Sequence, residues 1–513
     1  MFLKKIIPIS IVAILGAIFM FNKNNDEDMT LRVAFPYNKP VEAYEPTKIH
    51  LGPEYIFLEN IYSPLIELST ETGKPQGGVA SKFYWKDGSF MIHLRKGLKT
   101  IDGYEITAKD AEFSLKRLLV MSSNTHGNFK DIICPESVLK TVESHCDGIQ
   151  IVDDYTLSLN PGEEKPFLAH MLTAIDFAVI PKTSVDPKTL KIVDYRNTSG
   201  PYFVENSDDK GNIELKINSG HYHYSKELPQ NISLVPSGID GTPSAVDLFK
   251  NGKIDHITTI DKVNPEKIIK LSKESEESYL HKTMNIRTFA LFFTEKGLKR
   301  FSAEERLQLG KTINEALDGY FLDKPGFEER KQFFPSFGDG KLSDAQKEKL
   351  ETTLSKISKI SSGKNIKLSL LRVGSIDNYK EKLEKALPGI TIFEGKKVPA
   401  LSQYKNIDEM PDLFIGGPDI TFNEDISLIT YSVNAGIFGM SKNERSSWIK
   451  SYMGILDKTQ RLQKLQDLHF NSLINGVIFP LAASPYVALL RKPWKSHLPQ
   501  IFANNPLWTI KKN

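Results

Sequence analysis

The sequence predicts an α/β protein folded as two or three lobes. Its 513 residues exceed what one ordinary hydrophobic core covers. Strand-like and helix-like apolar patterns alternate along most of the chain. A strand–helix–strand order after residue 341 suggests a βαβ unit in a lobe of its own. Composition agrees with a folded chain, at 40% hydrophobic and 25% charged residues. The formal net charge is only +3, with acids and bases interspersed and no basic block, which argues against a nucleic-acid partner.

The N-terminus reads as an export signal. Lys4 and Lys5 precede an uncharged run, Ile6 to Phe21, and the polar stretch NKNNDED follows. The run is shorter than the roughly 20 residues of a comfortable membrane span. A cleaved signal, with Ala17 as a cleavage point, is the expectation; an uncleaved anchor is the alternative. No cysteine follows the run, so no lipid-modified N-terminus is expected. The two cysteines, Cys134 and Cys146, are most simply a disulfide in an exported protein, with two free thiols as the alternative.

The elements follow in order. Leu31–Phe35 is a short apolar strand and Ser89–Leu94 another, leading to turns at Gly97 and Asp102-Gly103. Thr107 and Asp110 form a capping pattern before a helix with Ala111, Leu115, Leu118 and Leu119 on one face. Asn212–Asn218 alternates strictly, with Ile213, Leu215 and Ile217 on one side. Thr242 is expected to cap a helix through Phe249 that stops at Gly252. Ile286–Thr294 is a near-continuous apolar strand, and Ser302 with Glu305 caps the helix after it.

Beyond residue 341, Ser343 and Gln346 cap a charged helix, and Ile366–Val373 is a strand. A lysine- and glutamate-rich helix, Asp377–Leu387, and a strand, Ile390–Phe393, complete the unit. Asp412–Ile415 is an apolar strand ending at Gly416-Gly417. A helix through Arg461–Ile474 leads to VIFPLAASPYVALL, two buried strands. No low-complexity linker separates the lobes, so crossing strands are expected to join them.

Catalytic signatures are absent: there is no G-x-x-x-x-G-K-[ST], G-x-S-x-G or H-E-x-x-H. No catalytic residue, metal site or cofactor is assigned. His221-x-His223 in HYHY would present two imidazoles on one strand face, but two ligands do not fill a metal site, and surface or interlobe histidines are the plainer reading. His93 reads as structural.

Several segments resemble the family-5 extracellular solute-binding proteins, receptors for dipeptides, oligopeptides, nickel and haem in ABC importers. The longest is HLRKGLKTIDGYEITAKDAEFSLKRL, His93 to Leu118, similar to the family's strand, Leu-Arg-Lys-Gly, Asp-Gly turn and capped Phe-Ser-Leu helix, with Thr100 where an aromatic is common. NIYSPLIEL, VEAYEP, VDDYTLSLN, SGPYFVEN and LFKNGKID agree in order, and Arg306 falls on the arginine of the post-strand helix. The resemblance spans nearly the whole mature chain, most weakly between about 325 and 440.

The resemblance implies a two-lobed periplasmic binding protein-like fold with a hinge and an extra subdomain in the first lobe. The boundaries it implies are 1–28 for the signal or anchor with its polar linker; 29–59, 191–281 and 487–513 for the discontinuous ligand-binding part of lobe I; 60–190 for the extra subdomain; and 282–486 for lobe II. It implies a periplasmic, non-enzymatic receptor that captures a peptide and delivers it to an inner-membrane permease, with a monomer as the default. Peptide is expected to pair as an added strand between closing lobes. Alternatives are a receptor for a metal chelate or haem, an exported hydrolase, and a peptide-binding chaperone.

For the site, the family's Gly-Trp followed by an amine-pairing aspartate reads FIGGPDITFNED here. Asp419 matches the aspartate, with a turn-capping role as the alternative. Gly416 and Gly417 precede it, and Gly417 replaces the tryptophan, which implies an atypical cleft. Pro40, Val41 and Glu42 match the segment lining the other side; Glu42 faces ligand or is a solvated edge-strand residue.

Overall fold

A computed structural model describes residues 29–49, 52–121, 129–134, 139–239, 241–259, 264–317, 321–360, 363, 365–370, 377–394, 406–418, 433, 436–497 and 506–513. The Ile6–Phe21 run and Asp419 lie outside these.

Two mixed sheets dominate. The first has seven strands, in the order Ser278–Lys282, Val487–Arg491, His256–Thr258, Thr30–Phe35, Asn231–Pro236, Ile213–Ile217 and Tyr202–Ser207. Thr30–Phe35 lies between parallel neighbours, Asn231–Pro236 and His256–Thr258. That position explains its apolar run, because a central strand is covered on both faces. The second has six strands, Glu328–Glu329, Ile478–Ser484, Arg287–Phe293, Leu413–Gly416, Lys367–Leu370 and Thr391–Glu394. Its last two are parallel and flank the helix Asp377–Ala386, the βαβ unit expected from the sequence.

The sheets are joined by strands that leave one and enter the other. Ser278–Lys282 of the first continues through 283–286 into Arg287–Phe293 of the second. Ile478–Ser484 of the second returns through Pro485 and Tyr486 to Val487–Arg491 of the first. The two crossings are stitched: Thr283 N donates to Tyr486 O at 3.0 Å, and Tyr486 N donates to Thr283 Oγ1 at 2.8 Å. The expectation of crossing strands in place of a tether therefore holds. Paired short connections permit rotation about one line while resisting other motions, as a hinge does.

Inserted in the chain between Thr30–Phe35 and Tyr202–Ser207 is a separate four-stranded antiparallel sheet, Ala80–Lys86, Ser89–Leu94, Thr156–Leu159 and Ile149–Asp153. Its first hairpin turns at Asp87 and Gly88, with φ of 50° and 77°, the left-handed pair a two-residue loop requires. Helix Ala108–Met121 packs on this sheet. The capping pattern at its start is present, with Asp110 accepting from Thr107 N at 2.9 Å. Asp110 is fully buried and also accepts from Tyr104 Oη at 2.8 Å and Lys182 N at 2.9 Å. The caps at Ser302 with Glu305 and at Ser343 with Gln346 form as expected.

One expected cap moves. Ser244, not Thr242, caps the helix Ala245–Lys250, accepting from Asp247 N at 3.1 Å. Thr242 Oγ1 instead closes the preceding turn onto Ile239. Both residues suit a cap; the serine stands three residues before an aspartate, and the threonine is held by its own turn.

Cys134 and Cys146 are disulfide-bonded, 12 residues apart. Gly148 follows closely because a Cβ there would stand 1.7 Å from Ile133 O. By chain entropy, opening a loop this short removes about 3 kcal/mol. We expect Cys134→Ser with Cys146→Ser to lower the unfolding free energy by that amount, read as a lower midpoint in urea titration. An unchanged midpoint would show that the bridge contributes no net stability.

Candidate functional site

The parallel strands of the first sheet end where a ligand site is expected in α/β folds, beyond the carboxyl ends. After Phe35 the chain passes Tyr37 and Lys39 and reaches Pro40, Val41 and Glu42. This segment is a short 3-10 turn, Val41–Ala43, closed by Ala43 N donating to Pro40 O at 3.0 Å. The edge-strand reading of Glu42 is therefore corrected: a proline entering the turn fixes its backbone, and no ladder forms. Val41 is 6% exposed and belongs to the core, while Pro40 and Glu42 are exposed.

The turn is held from three sides. Phe35, Tyr37, Tyr44 and Phe57 form a chain of ring contacts, with centroids 4.9 to 6.1 Å apart. Gly211, at φ 84°, lies so close that a Cβ would stand 2.5 Å from Asn38 Cα. Glu45 accepts two bonds from Arg117, at 2.9 and 2.6 Å, and also caps Thr47 N at 3.1 Å. Arg117 is 1% exposed and donates a third bond to Leu190 O at 2.8 Å. A buried bidentate ion pair thus fastens the turn to helix Ala108–Met121. No local pattern marks this pair, since its partners are separated by 72 residues.

On the second sheet, Leu413–Gly416 runs to Gly417 and Pro418. Thr288 N donates to Pro418 O at 3.1 Å, so this stretch continues alongside the neighbouring strand. Gly416 is buried and Gly417 half-buried. A Cβ on Gly417 would stand 2.7 Å from the Phe289 ring. Phe289 in turn packs on Phe321 and Phe327, at centroid distances of 5.1 and 5.6 Å. The glycine is required because an aromatic from the adjacent strand occupies its side-chain space. Sequence reading registered the missing tryptophan but not the phenylalanine, which sits on another strand.

Buried hydroxyls lie near these edges. Ser237 follows Asn231–Pro236 and Ser484 ends its own strand; both are fully buried, with Oγ atoms unpartnered among the described residues.

The HYHY segment is a turn and not a strand, which corrects the expected geometry. Its groups pack into the first lobe. Tyr222 donates to Glu67, and His223 Nε2 lies 2.9 and 3.1 Å from the two Glu67 oxygens. His223 stacks on Trp508 at 4.0 Å. His221 Nε2 meets Ser63 Oγ at 3.2 Å, its Nδ1 accepts from His223 N, and burial pulls its pKa well below the ordinary imidazole range. Asn218 closes the turn before the segment, its Oδ1 accepting from Gly220 N and its carbonyl from His221 N, and each imidazole serves a hydrogen-bond network.

Two mixed sheets with their helices, joined by a hydrogen-bonded pair of crossing strands, form an α/β fold consistent with the two-lobed periplasmic binding protein fold. Residues 74–308 match the model of "Bacterial extracellular solute-binding proteins, family 5 Middle", and the chain is homologous to proteins of that family. It is 26% identical over 249 residues to the periplasmic oligopeptide-binding protein OppA of Salmonella typhimurium, and 25% identical over 242 residues to that of Escherichia coli. Each alignment covers 46% of this chain and 44% of the relative, less than half the length of either protein.

Solved structures share the fold over nearly the whole chain. A periplasmic oligopeptide-binding protein from Borrelia burgdorferi has a TM-score of 0.71 at 18% identity, covering 94% of this chain and 100% of that one. DppA from Helicobacter pylori in complex with the peptide STSA has a TM-score of 0.69 at 16% identity, over 94% and 98% of the chains. NikA from Brucella suis in complex with Fe(III)-EDTA gives 0.69 at 14% identity, over 94% and 100%.

Proposed function

We propose that this protein is the substrate-binding component of an ABC import system, capturing a peptide between its lobes and passing it to an inner-membrane permease. The observation that carries the reading is the hydrogen-bonded pair of crossing strands, which joins the two sheets as a hinge joins two lobes that close over a cleft. An extended ligand would pair there with backbone from both lobes, gaining affinity with little sequence preference. Such a receptor needs no catalytic group, because closure is driven by contacts made only in the closed state.

In this reading lobe I comprises 29–59, 191–281 and 487–513, with 60–190 as its extra subdomain, and lobe II is 282–486. The two-sheet division and the crossings support these limits. Residues 1–28 act as an export signal or anchor and place the monomeric protein in the periplasm. Asp419, outside the described residues, is assigned the ligand amine, with Glu42 facing the same cleft.

Native mass spectrometry of protein purified without refolding tests the reading. A ladder of peptide masses is the expected result. A single metal-chelate or tetrapyrrole mass would replace peptide with the non-peptide alternative. N-acetylated peptides are expected to bind more weakly than free-amine ones, and equal binding would remove the role given to Asp419.

A further inference from the structure

The C-terminal strands concentrate positive charge. Trp494–Ser496 and Ile510–Lys512 form an antiparallel pair in which Lys495 stands directly opposite Lys511. Like charges so placed are destabilising. Lys511 is 40% exposed and has Glu227 at 3.6 Å, an exposed pair of small worth. Lys495 lies over the Tyr279 ring at 5.4 Å and makes no ion pair among the described residues. His497, exposed and two residues on, feels the same field. Its pKa is drawn down by burial first and then by Lys511 and Lys495, against Glu227. Exposed Lys226 adjoins Glu227 and adds a further charge. The acids Glu276 and Glu277 lie toward Lys492, whose N donates to Glu277 O, and bound the patch on that side.

The patch stands where the N-terminal segment leaves the fold. Met29 O accepts from Gln230 N at 2.9 Å and Asn231 N at 3.3 Å. Three residues earlier on the same stretch, Glu227 O accepts from Lys512 N at 2.9 Å. Upstream of Met29 the sequence has seven polar residues, Asn22 to Asp28, and before them the apolar run Ile6–Phe21. Seven residues reach at most about 25 Å. If the run stays in a bilayer, the lysine face is therefore confined to the membrane surface. The run has 16 residues and is short for a span, so a second attraction at the same end of the molecule strengthens its hold. Asp26, Glu27 and Asp28 make the tether itself acidic, so that attraction has to come from the folded face.

We propose that the face carrying Lys226, Lys495 and Lys511 is a membrane-contact surface, held against the anionic headgroups of a phospholipid bilayer in which Ile6–Phe21 remains as an anchor. A repulsive lysine pair is unfavourable in the isolated fold and favourable beside a negative surface, where each lysine favours contact about fivefold. The inference does not depend on which solute the lobes capture. It fixes which end of the molecule faces the membrane.

The test uses the full chain reconstituted into vesicles of phosphatidylcholine alone or of phosphatidylcholine with an equal part of phosphatidylglycerol. Lysine acetylation by acetic anhydride is followed by peptide mass spectrometry, with Lys458, 65% exposed on lobe II, as the internal reference. Phosphatidylglycerol is expected to slow acetylation of Lys226, Lys495 and Lys511 about tenfold relative to Lys458. Molar salt should remove the difference. In Lys495→Gln with Lys511→Gln, Lys226 should react equally in both vesicles. Equal rates in the wild type overturn the proposal, as does shielding of Lys226 that persists in the double variant. Shielding in both vesicles, lifted only by Asp26→Asn, Glu27→Asn and Asp28→Asn together, assigns the lysines to the tether and overturns the membrane site. The intact mass of protein from the membrane fraction of cells is expected to include residues 1–28, and their loss overturns the anchor. If the double variant does not fold, as judged by circular dichroism, the wild-type comparison of the two vesicles decides the matter.

Discussion

Arg117→Met is expected to destabilise the protein by about 3–5 kcal/mol, the range for removing one partner of a buried pair and leaving the other charge uncompensated. Arg117 is 1% exposed and binds both oxygens of Glu45. The variant strands the Glu45 carboxylate and frees Leu190 O, which Arg117 Nε reaches at 2.8 Å. The loss concerns the site as well as stability. Glu45 closes the turn that presents Pro40, Val41 and Glu42, so the turn should loosen and ligand affinity should fall together with the urea midpoint. The double variant Arg117→Met with Glu45→Gln should recover part of the stability, because no buried charge is then left alone. Equal losses in the single and double variants would show that the pair acts through packing and not through charge.

A second large effect is expected at His469. The ring is fully buried on the helix Lys458–Ile474. Its Nε2 accepts from Phe333 N at 3.0 Å and Phe334 N at 3.3 Å, and Nδ1 donates to Gly340 O at 2.8 Å. This arrangement requires the neutral ring, since a proton on Nε2 would face two N–H donors. Burial pushes the His469 pKa down to about 3, and His256 likewise.

The direction of the pH effect follows. Above the unfolded-state value near 6.5, folded and unfolded chains both carry neutral imidazoles, and the stability is fully present. As pH falls below it, the unfolded chain takes up protons that the folded chain refuses, and stability declines until the folded-state value is reached. Each such histidine contributes a slope of about 1.4 kcal/mol per pH unit across that window. His469→Ala is expected to cost about 2–5 kcal/mol at pH 7.5, because it orphans buried backbone groups and leaves a cavity. It should also make the decline between pH 6 and pH 4 shallower by about 1.4 kcal/mol per unit. Urea titrations at each pH measure both quantities. An unchanged slope would mean that His469 already carries its proton in the folded state.

Much of the architecture follows from local pattern. The apolar run 286–294 reads as a strand because its seven-residue core, Arg287–Phe293, is covered on both faces and paired on both sides. Capping pairs such as Ser343 with Gln346 are legible because their partners are three residues apart. The expected strand Ile366–Val373 appears as Lys367–Leu370, with its last residues outside the described part of the chain. Thr242 and the HYHY segment were misplaced because a threonine and an alternating tetrapeptide suit a turn as well as a cap or a strand.

By itself, the sequence determined the alternation of strands and helices, the resemblance of His93–Leu118, the nearby cysteine pair and the glycine at position 417. Each depends on residues within a short stretch, where period and spacing carry the signal. Only the tertiary structure decided what surrounds them. It placed Phe289 against Gly417, Arg117 on Glu45 and Thr283 on Tyr486. These pairings join residues far apart in the chain, and burial turns each into a strong constraint. No local pattern encodes them, because the chain must fold before those groups meet or lose their water.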